Sequence, residues 1–405
     1  MEILQVGTGT LKIPPSGYGG IERYIFEVSR QLARLGRAVT ILDIKEKSSE
    51  PAVETVQGIK ILRLQTRGKN PAGGVFLLQY FRSKLPLVSF AIKASRHVRR
   101  KRYDIIHLHV TIIGLVLVCL NRSLRHRMIY TVHSPIWMMD SPGALDRLAV
   151  RMDCFLMRRV GHVIAQSESS KAKLMATARI PAQKISVVPS GVDTAAYHSA
   201  TPDEKIVARY GFAGKSVILF AGRIVPYKGI LYLVKAADIV VNRSGYKDAL
   251  FLLVGPIAQH GLDSLEHSRY IEDLSAFIQD KRLEEHVKLT GAVPQDDLTS
   301  LFCACDIFVL PSLAESSPAV TLQAMSCAKP VIGTRVGGVP DQIKDGWNGF
   351  LVEPADEEAL AQKIKYLLDH PAERLKMGRN GRQLAVQEFD WKVVAEKLLA
   401  IYSQR

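Results

Sequence analysis

Residues Pro311 to Asp341, PSLAESSPAVTLQAMSCAKPVIGTRVGGVPD, decide how this chain folds. They follow an apolar run, Ile307-Phe308-Val309-Leu310, that reads as a buried parallel strand. A polar loop carrying Glu315, Ser316, Ser317 and Pro318 comes next. Pro318 suits the first turn of a helix, where its missing N–H would have had no partner. Ala319 to Cys327 tolerate helix and stop at Ala328-Lys329-Pro330, and a second buried run follows at Val331-Ile332-Gly333. The order strand, loop, helix, strand is one βαβ unit.

The chemistry of that unit is anion binding. The N–H groups of Ser317, Ala319 and Val320 sit where a helix begins, and such ends attract phosphate through free donors and the helix dipole. Glu315 lies at the carboxyl end of the strand, where open α/β sheets bind ligands. A carboxylate there suits the hydroxyls of a sugar next to a phosphate. It equally suits a helix cap, since acidic residues favour first turns.

The same alternation runs through the rest of the chain. Strands are expected at Glu2–Val6, Val39–Leu42, Lys60–Leu64, Ile105–Leu108, Met128–Val132, Val163–Gln166 and Ile185–Val188 in the first half. In the second half they are expected at Val217–Ala221, Leu250–Val254 and Val287–Gly291, before the unit above. Apolar strands alternating with helices predict doubly wound parallel sheets. The first strand leads into a loop with Gly7, Gly9, Gly17, Gly19 and Gly20, shaped for close backbone approach, and then a helix over Ile21 to Leu35. That loop lacks both the dinucleotide G-x-G-x-x-G spacing and a P-loop lysine. His133 ends a strand on the ligand side; a lone histidine there is either structural or a ligand contact. His107 and His109 are further candidates for the same crevice. Arg223 and Lys228, five residues apart between a strand and a helix, form a two-pronged cationic clamp suited to phosphate, or else two solvated charges.

Four separated motifs resemble the retaining GT-B glycosyltransferases grouped as family 4, the glycosyl transferases group 1. Gly19-Gly20-Ile21-Glu22 resembles the family's G-G-x-E, and Gly222 to Gly229 aligns with G-R-x-x-x-x-K-G. Pro189-Ser190-Gly191-Val192-Asp193 is similar to P-N-G-V-D, with Ser for Asn. The opening stretch resembles the signature Glu, seven residues, Glu, A-M-(A/S)-C-G-x-P-V-(V/I), but Gln323 replaces the second Glu and Ala328 the Gly.

The resemblance implies two facing Rossmann-like domains with an active site in the cleft. Their expected bounds are 1–193 for acceptor binding and 206–388 for the nucleotide sugar, joined by a linker at 194–205, with 389–405 crossing back as a C-terminal helix. It implies transfer of a hexosyl unit from a UDP- or GDP-sugar to an acceptor hydroxyl, with retention and without metal or cofactor. Glu315 and His133 would contact the donor sugar, Arg223 and Lys228 would hold its diphosphate, Gly19 and Gly20 would approach it, and Gln323 would sit near the ribose. A lysine–arginine clamp supplies the charge a divalent ion would otherwise supply, and no Asp-x-Asp cluster is present. Two other classes fit the same fold: a nucleotide-sugar epimerase, and a non-catalytic binding protein, which Gln323 would favour.

The net charge of +15 calls for an anionic partner. No nucleic-acid module is present, so nucleic acid is not expected. A basic run at Lys93, Arg96, His97, Arg99, Arg100, Lys101 and Arg102 follows Arg82, Lys84 and an apolar stretch that includes Val75, Phe76, Leu77 and Leu78. Mixed apolar and basic helical residues suit an anionic membrane surface, or a solvated helix end over a buried face. In the resembling family the N-terminal domain binds an acceptor that is often lipid-linked. The five cysteines are scattered, mostly in apolar runs, and read as buried reduced thiols of a cytoplasmic protein. No signal peptide is evident, and the longest apolar candidate, Val110 to Leu120, is too short to span a bilayer and reads as a buried helix.

Overall fold

A computed structural model describes residues 1–15, 19–45, 49–66, 76–133, 144–199, 204–256 and 264–405, without side chains at 76–84, 144–145 and 264–267. The chain forms two units, Met1–Ser190 with Trp391–Arg405, and Gly191–Asp390.

The first unit is built on strands β1 (Glu2–Val6), β2 (Ala38–Lys45), β3 (Val53–Val56), β4 (Ile59–Gln65), β5 (Ile105–Leu108), β6 (Met128–Val132), β7 (His162–Ala165) and β8 (Ile185–Val187). Their order is β3-β4-β2-β1-β5-β6-β7-β8, parallel except for the antiparallel pair β3 and β4. Parallel neighbours need crossovers, supplied by α1 (Gly20–Arg34), α2 (Phe76–Arg100), α3 (Thr111–Leu120), α4 (Ala144–Arg159) and α5 (Glu168–Ala178). The closing helix Trp391–Ser403 places Trp391, Val394, Ala395, Leu398 and Tyr402 in one core with Ile3, Tyr24, Val28 and Leu32. Strand β3 was not expected, because its only apolar residues are Val53 and Val56, at its two ends.

The second unit is a six-stranded, wholly parallel sheet of β9 (Ser216–Ala221), β10 (Ala249–Val254), β11 (Val287–Gly291), β12 (Ile307–Leu310), β13 (Val331–Thr334) and β14 (Gly349–Val352), in the order β11-β10-β9-β12-β13-β14. Its helices are α6 (Glu204–Tyr210), α7 (Ile230–Asp238), α8 (Ser264–Asp280), α9 (Gln295–Ala304), α10 (Ala319–Ser326), α11 (Val339–Gln342), α12 (Glu357–Asp369) and α13 (Pro371–Leu384). Both sheets reverse strand order at one point, β1 against β5 and β9 against β12. Loops leaving the carboxyl ends of those strands are where such sheets bind ligands.

Three expectations change. Part of the stretch read as a loose linker is packed: Tyr197 is 4% exposed, edge-on to Phe302, and Arg382 donates to the carbonyls of Thr194 and Tyr197. An aromatic ring of that size is held by the apolar surface it covers. Residues 200–203 of the stretch lie outside the described residues, as do Gly17 and Val75. The side chains of Arg82 and Lys84 are likewise not described. Helix α3 buries Ile113, Leu117 and Val118 but leaves Leu120 exposed. Cys303, Cys305 and Cys327 are buried, whereas Cys119 is exposed. Among the described residues no helix is long and apolar enough to cross a membrane.

Candidate active site

In the second unit, Lys228 and Glu315 meet where the strand order reverses. Lys228 closes a short 3-10 turn, Pro226–Lys228, after β9, and Glu315 follows β12. The Lys228 ammonium pairs with Glu315 Oε1, and the Ser312 hydroxyl donates to that same oxygen at 2.8 Å. Glu315 is only 6% exposed, and these two contacts fix its orientation. Two glycines permit the approach. Gly229 has φ +66°, and a Cβ there would overlap the carbonyl oxygen of Pro311. Gly337, at φ +51°, would overlap that of Glu315. Arg223 is exposed on the same loop and donates to the Tyr227 hydroxyl. Helix α10 then starts at Ala319 with no side chain capping it, so the amide groups at its first turn are available to an anion.

In the first unit, Gly19 precedes α1 at φ +143° and Gly20 opens that helix. Glu22 turns back and accepts from the Thr8 hydroxyl, which ties the glycine loop to the helix rather than to a ligand. His133 follows β6 and lies edge-on to Tyr24, with ring centroids 5.0 Å apart. Its Nε2 is 3.0 Å from His109 Nδ1, and His109 Nε2 is 2.8 Å from Gln5 Oε1. An amide oxygen only accepts, so His109 carries its proton on Nε2 and accepts at Nδ1. His133 therefore donates from Nε2 and leaves Nδ1 unprotonated. Burial, opposed by a hydrogen bond with the Gln166 side chain, lowers His133 to about 4. Burial and then the neighbouring rings push His109 well below its ordinary value.

His107 corrects the sequence reading. It lies inside β5, fully buried, with Nδ1 2.6 Å from the Tyr402 hydroxyl and Nε2 2.7 Å from Thr131 Oγ1. It lies on the sheet face that the C-terminal helix covers, the same face as buried Ile105, and Tyr402 of that helix closes over it.

Profiles of two known families match this chain. Glycosyl transferases group 1 matches residues 203–384, and Glycosyltransferase Family 4 matches residues 18–196. Together they span most of its length and include Lys228 and Glu315 of one cluster above and Gly19, Gly20 and His133 of the other. The chain belongs to the family 4 glycosyltransferases. D-inositol 3-phosphate glycosyltransferase of Kineococcus radiotolerans is 28% identical over 99% of this chain and 94% of its own length. The protein of the same name in Pseudarthrobacter chlorophenolicus is 27% identical, with the same coverage. In fold, the enzyme is similar to sucrose-phosphate synthase of Thermosynechococcus elongatus, at a TM-score of 0.81 and 25% identity over 100% of this chain and 98% of that one. It is also similar to HepE of Anabaena in complex with UDP-glucose, at 0.78 and 21% over 100% of both chains.

In this family 4 glycosyltransferase, then, Glu315, Lys228, Arg223 and the start of α10 with Ser317, Ala319 and Val320 share the carboxyl edge of one sheet. Gly19, Gly20 and His133 occupy the corresponding edge of the other unit. Gln323, expected near the ribose, donates from Nε2 to the Tyr197 hydroxyl at 3.0 Å, and its buried Oε1 has no hydrogen-bond partner among the described residues. Ser312, Tyr227, Gln5 and the supporting role of His109 were missed. Only His109 had a signal in sequence, its spacing of two from His107 at a strand end.

Proposed function

We propose that this glycosyltransferase moves a hexosyl unit from a UDP- or GDP-sugar to an acceptor hydroxyl, with retention of configuration and without a metal ion. The observation that carries this reading is the Lys228–Glu315 pair seated on Ser312 beside the uncapped start of α10. As the glycosidic bond breaks, negative charge grows on the leaving diphosphate, and Arg223, Lys228 and the α10 amides are the groups placed to take it. Glu315 accepts from hydroxyls of the transferred sugar, and Lys228 keeps that carboxylate compatible with a neighbouring phosphate. No general base is assigned: the departing phosphate oxygen takes the acceptor proton, and the protein contributes position and field. HepE, similar in fold, forms a complex with UDP-glucose, and the relatives are named D-inositol 3-phosphate glycosyltransferase. Incubation with a panel of UDP- and GDP-sugars and hydroxyl acceptors should release nucleoside diphosphate with one or a few donors. Release with none would end the reading, and a changed sugar still attached to its nucleotide would indicate an epimerase instead.

The acceptor in this reading is a lipid-linked or cell-envelope glycan, met at the inner face of the cytoplasmic membrane. Exposed Ile92, Leu120, Leu148 and Phe155 on the adjoining α2, α3 and α4, interleaved with Arg96, Arg147 and Arg151, support it. Co-sedimentation should be stronger with anionic than with neutral vesicles and should weaken with salt. Equal, salt-independent partitioning would remove the membrane from the proposal.

A further inference from the structure

The opposite edge of the first sheet carries a second cationic feature that glycosyl transfer does not use. The segments entering β5 and β6, residues 98–103 and 119–127, line an open groove of about 950 Å3. Arg99, Arg100, Lys101, Arg102, Arg122 and Arg127 converge on it, with His126, and no carboxylate is among its lining residues. Tyr103, Ile106 and Leu120 give its lining an apolar part. Parallel strands put this edge at their amino ends, away from the loops that hold His133, Gly19 and Gly20.

Two of these cations, Arg99 and Arg127, are fixed by neutral groups and not by anions. Arg99 donates from Nε to Asn121 Oδ1 at 2.9 Å and from Nη2 to the Leu120 carbonyl. Asn121 is itself oriented by donating to Ser95 Oγ at 2.8 Å. Arg127 donates to the Tyr103 carbonyl at 3.0 Å. Such bonds set the direction of a guanidinium without cancelling its charge. The side chains of Arg100, Arg102 and Arg122 are exposed and have no hydrogen bond or ion pair among the described residues. Among the described residues only Lys101 of these cations has a carboxylate, Glu2 at 3.1 Å, and the adjacent Asp104 already accepts from the Glu2 amide at 2.8 Å. Like charges held this close repel, most of all at low salt, and an anion between them reverses the sign of that interaction.

We propose that this groove binds a compact anion bearing two or more phosphate groups. Planar guanidinium forks on separate segments suit multiple phosphate oxygens, and the volume is that of a small-molecule site rather than of a single ion. The proposal goes beyond the donor reading and does not depend on it.

Calorimetric titration with tripolyphosphate tests it, with UDP in excess to occupy any donor site and in about 0.15 M salt. The comparison is wild type against Arg102→Ser/Arg122→Ser, chosen because neither side chain supports the fold. Saturable binding at least tenfold tighter in the wild type is expected. Equal affinity in the two proteins, or no saturation in the wild type, overturns the site. Transfer activity is read in parallel, and loss of groove binding with transfer intact separates this site from the donor site. Displacement of tripolyphosphate by phosphatidylcholine vesicles carrying cardiolipin, whose headgroup holds two phosphates, but not by phosphatidylcholine alone, assigns the phosphates to a lipid headgroup. Binding that such vesicles do not displace assigns them to a soluble ligand.

Discussion

Glu315→Gln is expected to lower sugar transfer by a factor on the order of 10² or more, with a melting temperature within about 3 °C of wild type. The amide keeps the side-chain volume, and its oxygen still accepts from Ser312. What disappears is the charge that pairs with Lys228 and that would hold the hydroxyls of the transferred sugar. Glu315→Ala differs in a way the geometry makes specific. It leaves both the Ser312 hydroxyl and the Lys228 ammonium, on a side chain only 15% exposed, without the oxygen they share, which the amide of Glu315→Gln still offers to both. Breaking such a pair costs on the order of 1–3 kcal/mol, so this variant should lose both transfer and melting temperature. Arg223→Ala removes an exposed cation, so it should melt like the wild type while turning over about 10²-fold more slowly. Kinetics and differential scanning fluorimetry on the three proteins separate the roles. Full transfer by Glu315→Gln would reduce the pair to a structural brace.

Lowering the pH from about 7 to about 5 should destabilise the unit that contains β1 to β8 by several kcal/mol. Burial lowers His107 to about 3, with His133 adding to the effect, and lowers His133 to about 4. In the unfolded chain these rings titrate near the ordinary value of about 6.5. Between those limits the unfolded state binds more protons, so stability rises with pH. It is complete above about pH 6.5 and lost progressively as the pH falls toward the folded values, at about 2 kcal/mol per ring by pH 5. His109 acts in the same direction, and so does His162, lowered to about 4 by burial and by Arg405. Asp43 opposes them. Burial pushes its carboxyl up to about 6 against hydrogen bonds from the backbone and the charge of Arg63, so acidification favours the fold there. One carboxyl offsets about one ring. Urea unfolding at pH 7, 6 and 5 should show a falling midpoint, and His107→Gln should flatten the trend by about one ring's share. A midpoint independent of pH over this range would contradict the buried, neutral cluster.

Much of this architecture is written locally. Uninterrupted apolar runs such as Ile307–Leu310 and Val331–Gly333 have no polar face to offer solvent, so they became inner strands of a parallel sheet with crossover helices. The glycine after Lys228 and the loop before Ala319 also follow from local rules, a left-handed turn and a helix start. The sequence by itself therefore determined the two alternating α/β units and the loops that carry Glu315, Lys228, Arg223 and His133. Partnership was not legible. Lys228 and Glu315 are 87 residues apart and meet only because β9 and β12 are neighbours. His109 reaches His133 because β5 pairs with β6, and Gln5 joins them because β1 lies on the other side of β5. His107, two residues from His109 in sequence, went to the core instead, where Tyr402 of the closing helix meets it. Arg122 and Arg127 converge on the basic run at 99–102 for the same reason, the segments entering adjacent strands lying side by side. Hydrophobic pattern decides which residues are strand and which face is buried. Strand order and register decide which side chains share an edge, and those arise from contacts distant in sequence, which only the tertiary structure set.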